Sequence, residues 1–206
     1  MDTAHVAEHW DRAYGAGERT RSWFQSEPFA SLRMLDVAGV TPAASVIDAG
    51  GGASTLVDAL LERGFNDLTV LDVSSAGLRA AQERLGPAAD HVRWVVADLL
   101  DWRAERTYQV WHDRAVLHFL TAEHARRRYL DVLHASTAAG AVAVFGTFAP
   151  QGPQQCSGLP VTRYSAGDLA VLLGDQWAPV ADDREEHVTP AGAIQPFVWA
   201  AFRRTT

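Results

Sequence analysis

From residue 45 onward, short apolar runs alternate with amphipathic stretches. Ser45-Val46-Ile47-Asp48-Ala49 predicts a strand over 45–49. Thr55, Leu56, Val57, Ala59, Leu60 and Leu61 then carry a helical spacing, predicting a helix over 53–63. The same reading predicts strands at 68–72, 92–96, 108–112 and 141–147. It predicts helices at 75–85, stopped by Gly86-Pro87, and near 122–136. Regular alternation of this kind means an α/β domain, a parallel sheet with helices on both faces.

The two ends break the rhythm. Residues 1–35 are helical in parts and rich in aromatics: Trp10, Tyr14, Trp23, Phe24 and Phe29. Phe29 is expected to bury a helix against the sheet. Residues 149–163 hold Pro150, Gly152, Pro153, Gly158 and Pro160 and read as a long loop, a length often tied to function. A short helix over 166–173 follows. Apolar stretches near 177–188 and 196–203 leave little room for a helix between them and read as an antiparallel pair closing the sheet.

Composition narrows the classes. With 206 residues and 48% hydrophobic content the chain suits one full-sized domain. A net charge of −7 argues against nucleic acid or an anionic membrane surface as partner. No apolar run is long enough to span a bilayer, and the start (Asp2, His5, Glu8, His9) does not read as a signal peptide. The lone cysteine, Cys156, has no partner for an internal disulfide. A cytoplasmic location is the expectation. All 18 basic residues are arginine, so lysine chemistry such as a P-loop or a Schiff base is excluded. No grouping of His, Cys and Asp has metal-ligand spacing.

Candidate chemistry begins at Asp48, followed by Gly50-Gly51-Gly52. A strand delivers an acid to its carboxyl end and the backbone must then turn tightly, which glycine permits. Asp72 and Asp98 stand at the ends of the next two strands, where open α/β sheets bind ligands. Asp72 lies twenty residues after Gly52, the spacing of an acid that accepts hydrogen bonds from a ribose. A dinucleotide fingerprint needs a third glycine where this chain has Thr55. Asp48 would also repel a pyrophosphate. A nucleoside carrying a cationic amine and no phosphate fits better, and S-adenosylmethionine is one.

In these motifs the sequence resembles the class I, Rossmann-like S-adenosylmethionine-dependent methyltransferases. Ile47-Asp48-Ala49-Gly50-Gly51-Gly52 is similar to their first motif, Leu71-Asp72-Val73 to the second and Ala97-Asp98-Leu99 to the third. The resemblance covers roughly residues 45–203. It implies a three-layer fold around a seven-stranded sheet of order 3-2-1-4-5-7-6, with strand 7 antiparallel. It implies that Asp48, Gly50, Gly51 and Gly52 hold the methionine part, that Asp72 binds the ribose and that Val73 packs on adenine. Asp98 and Leu99 would bind the adenine edge. Residues 1–40 would form a lid bringing Tyr14 and Trp23 to the cofactor, and the whole of 1–206 is expected to be a single methyltransferase domain.

The acceptor side draws on two clusters. Strand four runs into Trp111-His112-Asp113-Arg114-Ala115-Val116-Leu117-His118, and its carboxyl end points at the methyl group in this fold. His118 is the candidate base, since histidine titrates near neutral pH. Asp113 would orient it or touch the cofactor. Arg163 and Tyr164, at the end of the 149–163 loop, would bind an anionic substrate or complete a hydrogen-bond network. Cys156 reads as a small buried hydrophobe.

The expected function is in-line methyl transfer to a small-molecule thiol, amine or carboxylate, by a monomer or homodimer. The alternative is a protein-lysine methyltransferase, since Asp113-Arg114-Ala115 resembles the Asp-Lys-Gly element of that branch with two positions changed. A nicotinamide-dependent oxidoreductase and a non-catalytic nucleoside-binding module rank below both.

Overall fold

The computed structural model describes residues 3–15, 17 and 21–206. Its strands in chain order are β1 (Val46–Ala49), β2 (Leu68–Asp72), β3 (Val92–Val96), β4 (Tyr108–Arg114), β5 (Thr137–Phe148), β6 (Gln155–Cys156), β7 (Leu159–Pro160), β8 (Trp177–Val188) and β9 (Ile194–Arg204). Its α-helices are α1 (Thr3–Gly15), α2 (Phe29–Val37), α3 (Leu56–Glu62), α4 (Ser75–Leu85), α5 (Glu123–Ser136) and α6 (Ala166–Leu173).

The main sheet has the order β3-β2-β1-β4-β5-β9-β8. Strands β3, β2, β1, β4 and β5 pair in parallel, while β9 is antiparallel to both β5 and β8. With the short hairpin β6–β7 set aside, this is the expected order 3-2-1-4-5-7-6 with its antiparallel seventh strand. The order reverses between β1 and β4, which opens a crevice at their carboxyl ends.

Strand periodicity sorts the core into two layers. Val46 of β1, Val70 of β2 and Val110 of β4 face α2, α3 and α4 through Met34, Leu56, Leu60 and Leu78. Ile47, Leu71 and Trp111 face the other way and pack with Tyr129 and Leu133 of α5 and Leu169 and Leu173 of α6. Gly146 of β5 is glycine for a packing reason: a Cβ there would sit 2.8 Å from the Trp199 ring.

Three local expectations change. The third helix starts at Leu56 rather than 53, because residues 50–55 are spent on the turn out of β1. The 149–163 segment is not loop throughout. Gln155–Cys156 pairs with Leu159–Pro160, and the turn between them puts Ser157 (φ 50°) and Gly158 (φ 77°) in the left-handed region, as a two-residue hairpin requires. Phe29 does not bury a helix against the sheet: it is 69% exposed. The inward face of α2 is built from Ala30, Ser31, Met34 and Leu35, so the first residue of the helix points outward.

Candidate active site

A cavity of about 460 Å³ opens at the carboxyl ends of β1 to β4, within the range typical of small-ligand sites. Its floor carries Asp48, Gly50 and Gly51 after β1, Asp72 and Val73 after β2, and Asp98 and Leu99 after β3. Its roof is the amino-terminal part of the chain, with Trp10 and Tyr14 of α1 and Trp23 and Gln25 of the following segment. The far end is closed by Arg114, Phe119, Cys156 and Leu159.

The glycine turn is built for close approach. Gly50 (φ 73°) and Gly52 (φ 48°) occupy the left-handed region. A Cβ on Gly51 would sit 2.5 Å from Asp48 Oδ2, and one on Gly52 would sit 1.9 Å from the Tyr14 hydroxyl. Asp48 is held from beneath. His112 is its register partner on β4, and Nδ1 donates to Asp48 Oδ1 at 2.7 Å while Nε2 meets Ser31 Oγ of α2 at 3.0 Å. Asp48 Oδ2 is buried and has no hydrogen-bond partner. An acceptor left open beside a cradle of bare backbone fits an incoming ammonium group.

Asp72 is buried, and its Oδ1 accepts from the Ser74 N–H at 2.7 Å. Burial, with Asp48 and Asp11 nearby, pushes its carboxyl up to about 7, against the lowering effect of the Ser74 and Gly52 N–H groups. Two ribose hydroxyls would return the donors that burial took away. The orphaned Asp48 oxygen, the glycine cradle and this carboxylate together fit S-adenosylmethionine.

The roof is fastened by side chains. His187 Nε2 donates to the Ser22 carbonyl at 2.7 Å, Arg114 Nη1 to the Trp23 carbonyl at 2.9 Å, and Thr55 Oγ1 to the Gln25 carbonyl at 3.2 Å. Gln25 in turn donates to Glu185. Asp11 of α1 accepts from Ser74 Oγ at 2.6 Å and from the Ala76 N–H at 3.0 Å, at the start of α4. Trp10 packs edge-on against Trp23 and Phe119 at 5.6 and 5.0 Å between ring centroids.

The cavity gathers Asp48, Gly50, Gly51, Asp72, Val73, Asp98, Leu99, Tyr14 and Trp23 on its walls, with Gly52 directly beneath Tyr14. His118, Asp113, Arg163 and Tyr164 do not line it. His118 is fully buried between Phe119 and Phe148, with ring centroids at 4.4 and 4.8 Å. Burial, and then Arg114, push its pKa down to about 3, so it is neutral and a poor base at neutral pH. Asp113 points to the α5 face of the sheet. There it accepts from the Tyr129 hydroxyl at 2.5 Å and from the Val116 N–H at 2.9 Å, shaping the turn after β4. That turn puts Ala115 at φ 67°, a left-handed conformation uncommon outside glycine. Arg163 donates to the Gly152 carbonyl at 3.2 Å, within its own loop. Tyr164 is buried in the α6 layer.

Sequence reasoning passed over His9, Arg114 and His124 as wall residues. His9 and Trp10 flank a helical face already marked by Tyr14 one turn on, and that spacing was the available signal. No helix among the described residues is long and apolar enough to cross a membrane. No cluster of three or more His, Cys, Asp or Glu among them is placed to hold a metal ion.

Residues 46–140 match the family model of a methyltransferase domain. No curated protein matches the chain. Among solved structures, the 1,6-didemethyltoxoflavin-N1-methyltransferase of Burkholderia thailandensis, with 1,6-didemethyltoxoflavin and S-adenosylhomocysteine bound, is similar at TM-score 0.75 and 20% identity, over 100% of this chain and 92% of that one. The N-methyltransferase NodS of Bradyrhizobium japonicum, in complex with S-adenosylhomocysteine, is similar at TM-score 0.73 and 18% identity, over 95% and 98% of the two chains. A TehB-like S-adenosylmethionine-dependent methyltransferase of Corynebacterium glutamicum is similar at TM-score 0.63 and 18% identity, over 98% of each.

Proposed function

We propose that the chain, a class I S-adenosylmethionine-dependent methyltransferase by its matched domain and its fold, methylates a small-molecule nucleophile held under the amino-terminal roof. The observation that carries this reading is the single cavity that runs from the three strand-end carboxylates Asp48, Asp72 and Asp98 to the aromatic, largely apolar end at Phe119, Cys156 and Leu159. One half has the chemistry of a nucleoside site. The other has the size and lining of a pocket for a small organic acceptor. The structurally similar enzyme of Burkholderia thailandensis has both 1,6-didemethyltoxoflavin and S-adenosylhomocysteine bound, which supports a small-molecule acceptor here.

When bound, S-adenosylmethionine supplies a methyl group on a cationic sulfur that departs as a neutral thioether with the electron pair of the broken bond. The chain's work is to align the acceptor on the opposite side of that carbon and to exclude water. Asp48 Oδ2 and the backbone of Gly50–Gly52 would fix the amino-acid end. Asp72 would fix the ribose, and Val73 and Leu99 would enclose the adenine. Tyr14 and Trp23 would close the site from above. The acceptor's lone pair takes the methyl carbon, and its proton, where it has one, leaves to water or to a polar wall group such as His9, whose Nε2 is buried at the cavity without a hydrogen-bond partner. An acceptor already ionised, such as a thiolate or carboxylate, needs no base.

Calorimetry with S-adenosylhomocysteine tests the donor half. Wild type is expected to bind, and Asp72→Ala to bind at least about tenfold more weakly, the scale of a lost pair of charge-assisted hydrogen bonds. Equal binding by both proteins counts against the assignment. Radiolabelled S-adenosylmethionine added to a lysate tests the acceptor half. Label in the small-molecule fraction supports the reading, and label in a discrete protein band supports protein methylation instead.

A further inference from the structure

Arg114 ends β4 and lines the far end of the cavity. Its Nη1 donates to the Trp23 carbonyl at 2.9 Å, and its guanidinium carbon lies 5.2 Å from the centre of the Phe197 ring. Nε and Nη2 are buried and have no hydrogen-bond partner. These two N–H groups share one edge of the guanidinium and point the same way. That edge matches the two oxygens of a carboxylate.

Nearby acids do not fill it. Glu185 Oε1 accepts from Gln25 and Oε2 from Trp199 Nε1 at 2.7 Å. Asp48 Oδ1 is taken by His112, and Asp48 Oδ2, though open, makes no hydrogen bond to Arg114. A buried cation with two open donors is costly unless something on the reaction path fills them. The position of Arg114 separates donor from acceptor. Asp48, Asp72 and Asp98 sit over β1, β2 and β3, whereas Arg114 leans toward Phe197 of β9 and lines the cavity with Cys156 of the hairpin. It therefore stands on the acceptor's side of the methyl-transfer point.

We propose that Arg114 is a specificity-determining residue whose free edge binds a carboxylate on the methyl acceptor. The acceptor class is then a small acid that carries the nucleophile and a separate carboxylate. This rests on the methyltransferase reading above. Because the edge is screened from water, the carboxylate is desolvated as it arrives and the pairing is correspondingly strong. Phe119 and Leu159 offer apolar contact to the rest of such a molecule.

Calorimetric titration of the S-adenosylhomocysteine-saturated protein with 3-phenylpropionate and with its neutral isostere 3-phenylpropanamide tests the proposal. The carboxylate is expected to bind at least about tenfold tighter than the amide. Arg114→Gln is expected to erase that preference, and Arg114→Lys to restore part of it. Equal binding of acid and amide to wild type, or binding of neither at millimolar concentration, overturns the proposal even if the variants do not fold. A preference for the acid over the amide that persists at wild-type strength in folded Arg114→Gln also overturns it. Wild type that fails to bind S-adenosylhomocysteine at all overturns the methyltransferase reading and this proposal with it, and that result shows before any carboxylate is added.

Discussion

His112 donates to Asp48 across neighbouring strands, Nδ1 to Oδ1 at 2.7 Å, from a position where the two residues are register partners. The bond fixes the tautomer of the imidazole and leaves Nε2 to accept from Ser31. One oxygen of Asp48 is thereby spent on the scaffold, and the other is presented to the cavity. His112→Leu is close in volume and removes the bond. Urea unfolding should show a loss of about 1–3 kcal/mol, the usual cost of a buried acceptor left unpaired. Calorimetry should show weaker binding of S-adenosylhomocysteine, because Asp48 is free to turn away. Unchanged affinity would mean that Asp48 needs no such support.

The pH dependence of cofactor binding should centre on Asp72. Burial, reinforced by Asp48 and Asp11, raises its carboxyl in the folded protein to about 7, against about 3.9 for a free aspartate. The folded state thus holds this proton more tightly than the unfolded chain does. The stability from that proton is fully present below the unfolded value and is lost as pH rises through about 7. Ligand hydroxyls that donate to Asp72 favour the ionised form, so the sign for binding is opposite. Affinity for S-adenosylhomocysteine should rise about tenfold per pH unit up to about 7 and then level off. Asp72→Asn should flatten that profile and, at pH 8, unfold at higher urea than wild type. A wild-type profile flat from pH 5.5 to 8.5 contradicts this assignment.

Gly77 sits in α4 directly under Tyr14, and a Cβ there would lie 2.8 Å from the ring. Alanine favours a helix over glycine by about 1 kcal/mol, so Gly77→Ala should leave α4 intact and push Tyr14 off the glycine turn. The expected result is weaker S-adenosylhomocysteine binding with no loss of helical signal by circular dichroism. Binding equal to wild type would show that Tyr14 does not press on the cofactor.

The donor half of the site was legible in the chain because its signals are local. Strand, acid and glycine turn are adjacent in sequence, and the strand-end acids fall in register once the β-α rhythm is recognised. The acceptor half was not, because it depends on which way a side chain leaves a strand. His112, Asp113 and Arg114 are consecutive, so one faces α2, the next faces α5, and the third reaches the cavity at the strand's end. Chemistry alone favoured His118 and Asp113. Pleat and burial put His118 between two phenyl rings and gave Asp113 to the Tyr129 hydroxyl. Arg163 and Tyr164 were drawn in by their place after β5, but it is Cys156 and Leu159 of the hairpin β6–β7 that reach the wall. The parts played by Asp11 and His187 were invisible for another reason: each acts through a partner 63 or 165 residues away.

That last separation bears on how the molecule is made. The roof segment is seated by Glu185 and His187, which stand 160 and 165 residues downstream of the Gln25 and Ser22 they hold. During synthesis the strands that bear the carboxylates can pair as they emerge, and Thr55, Ser74 and Arg114 can begin to hold the segment that covers them, but its seat is complete only once β8 has left the ribosome. Closing a loop of that length is also the slowest kind of contact to form. The covering segment, made before the strands it covers, is thus fully held only late, and the ability to enclose a ligand becomes a property of the finished molecule rather than of its growing parts.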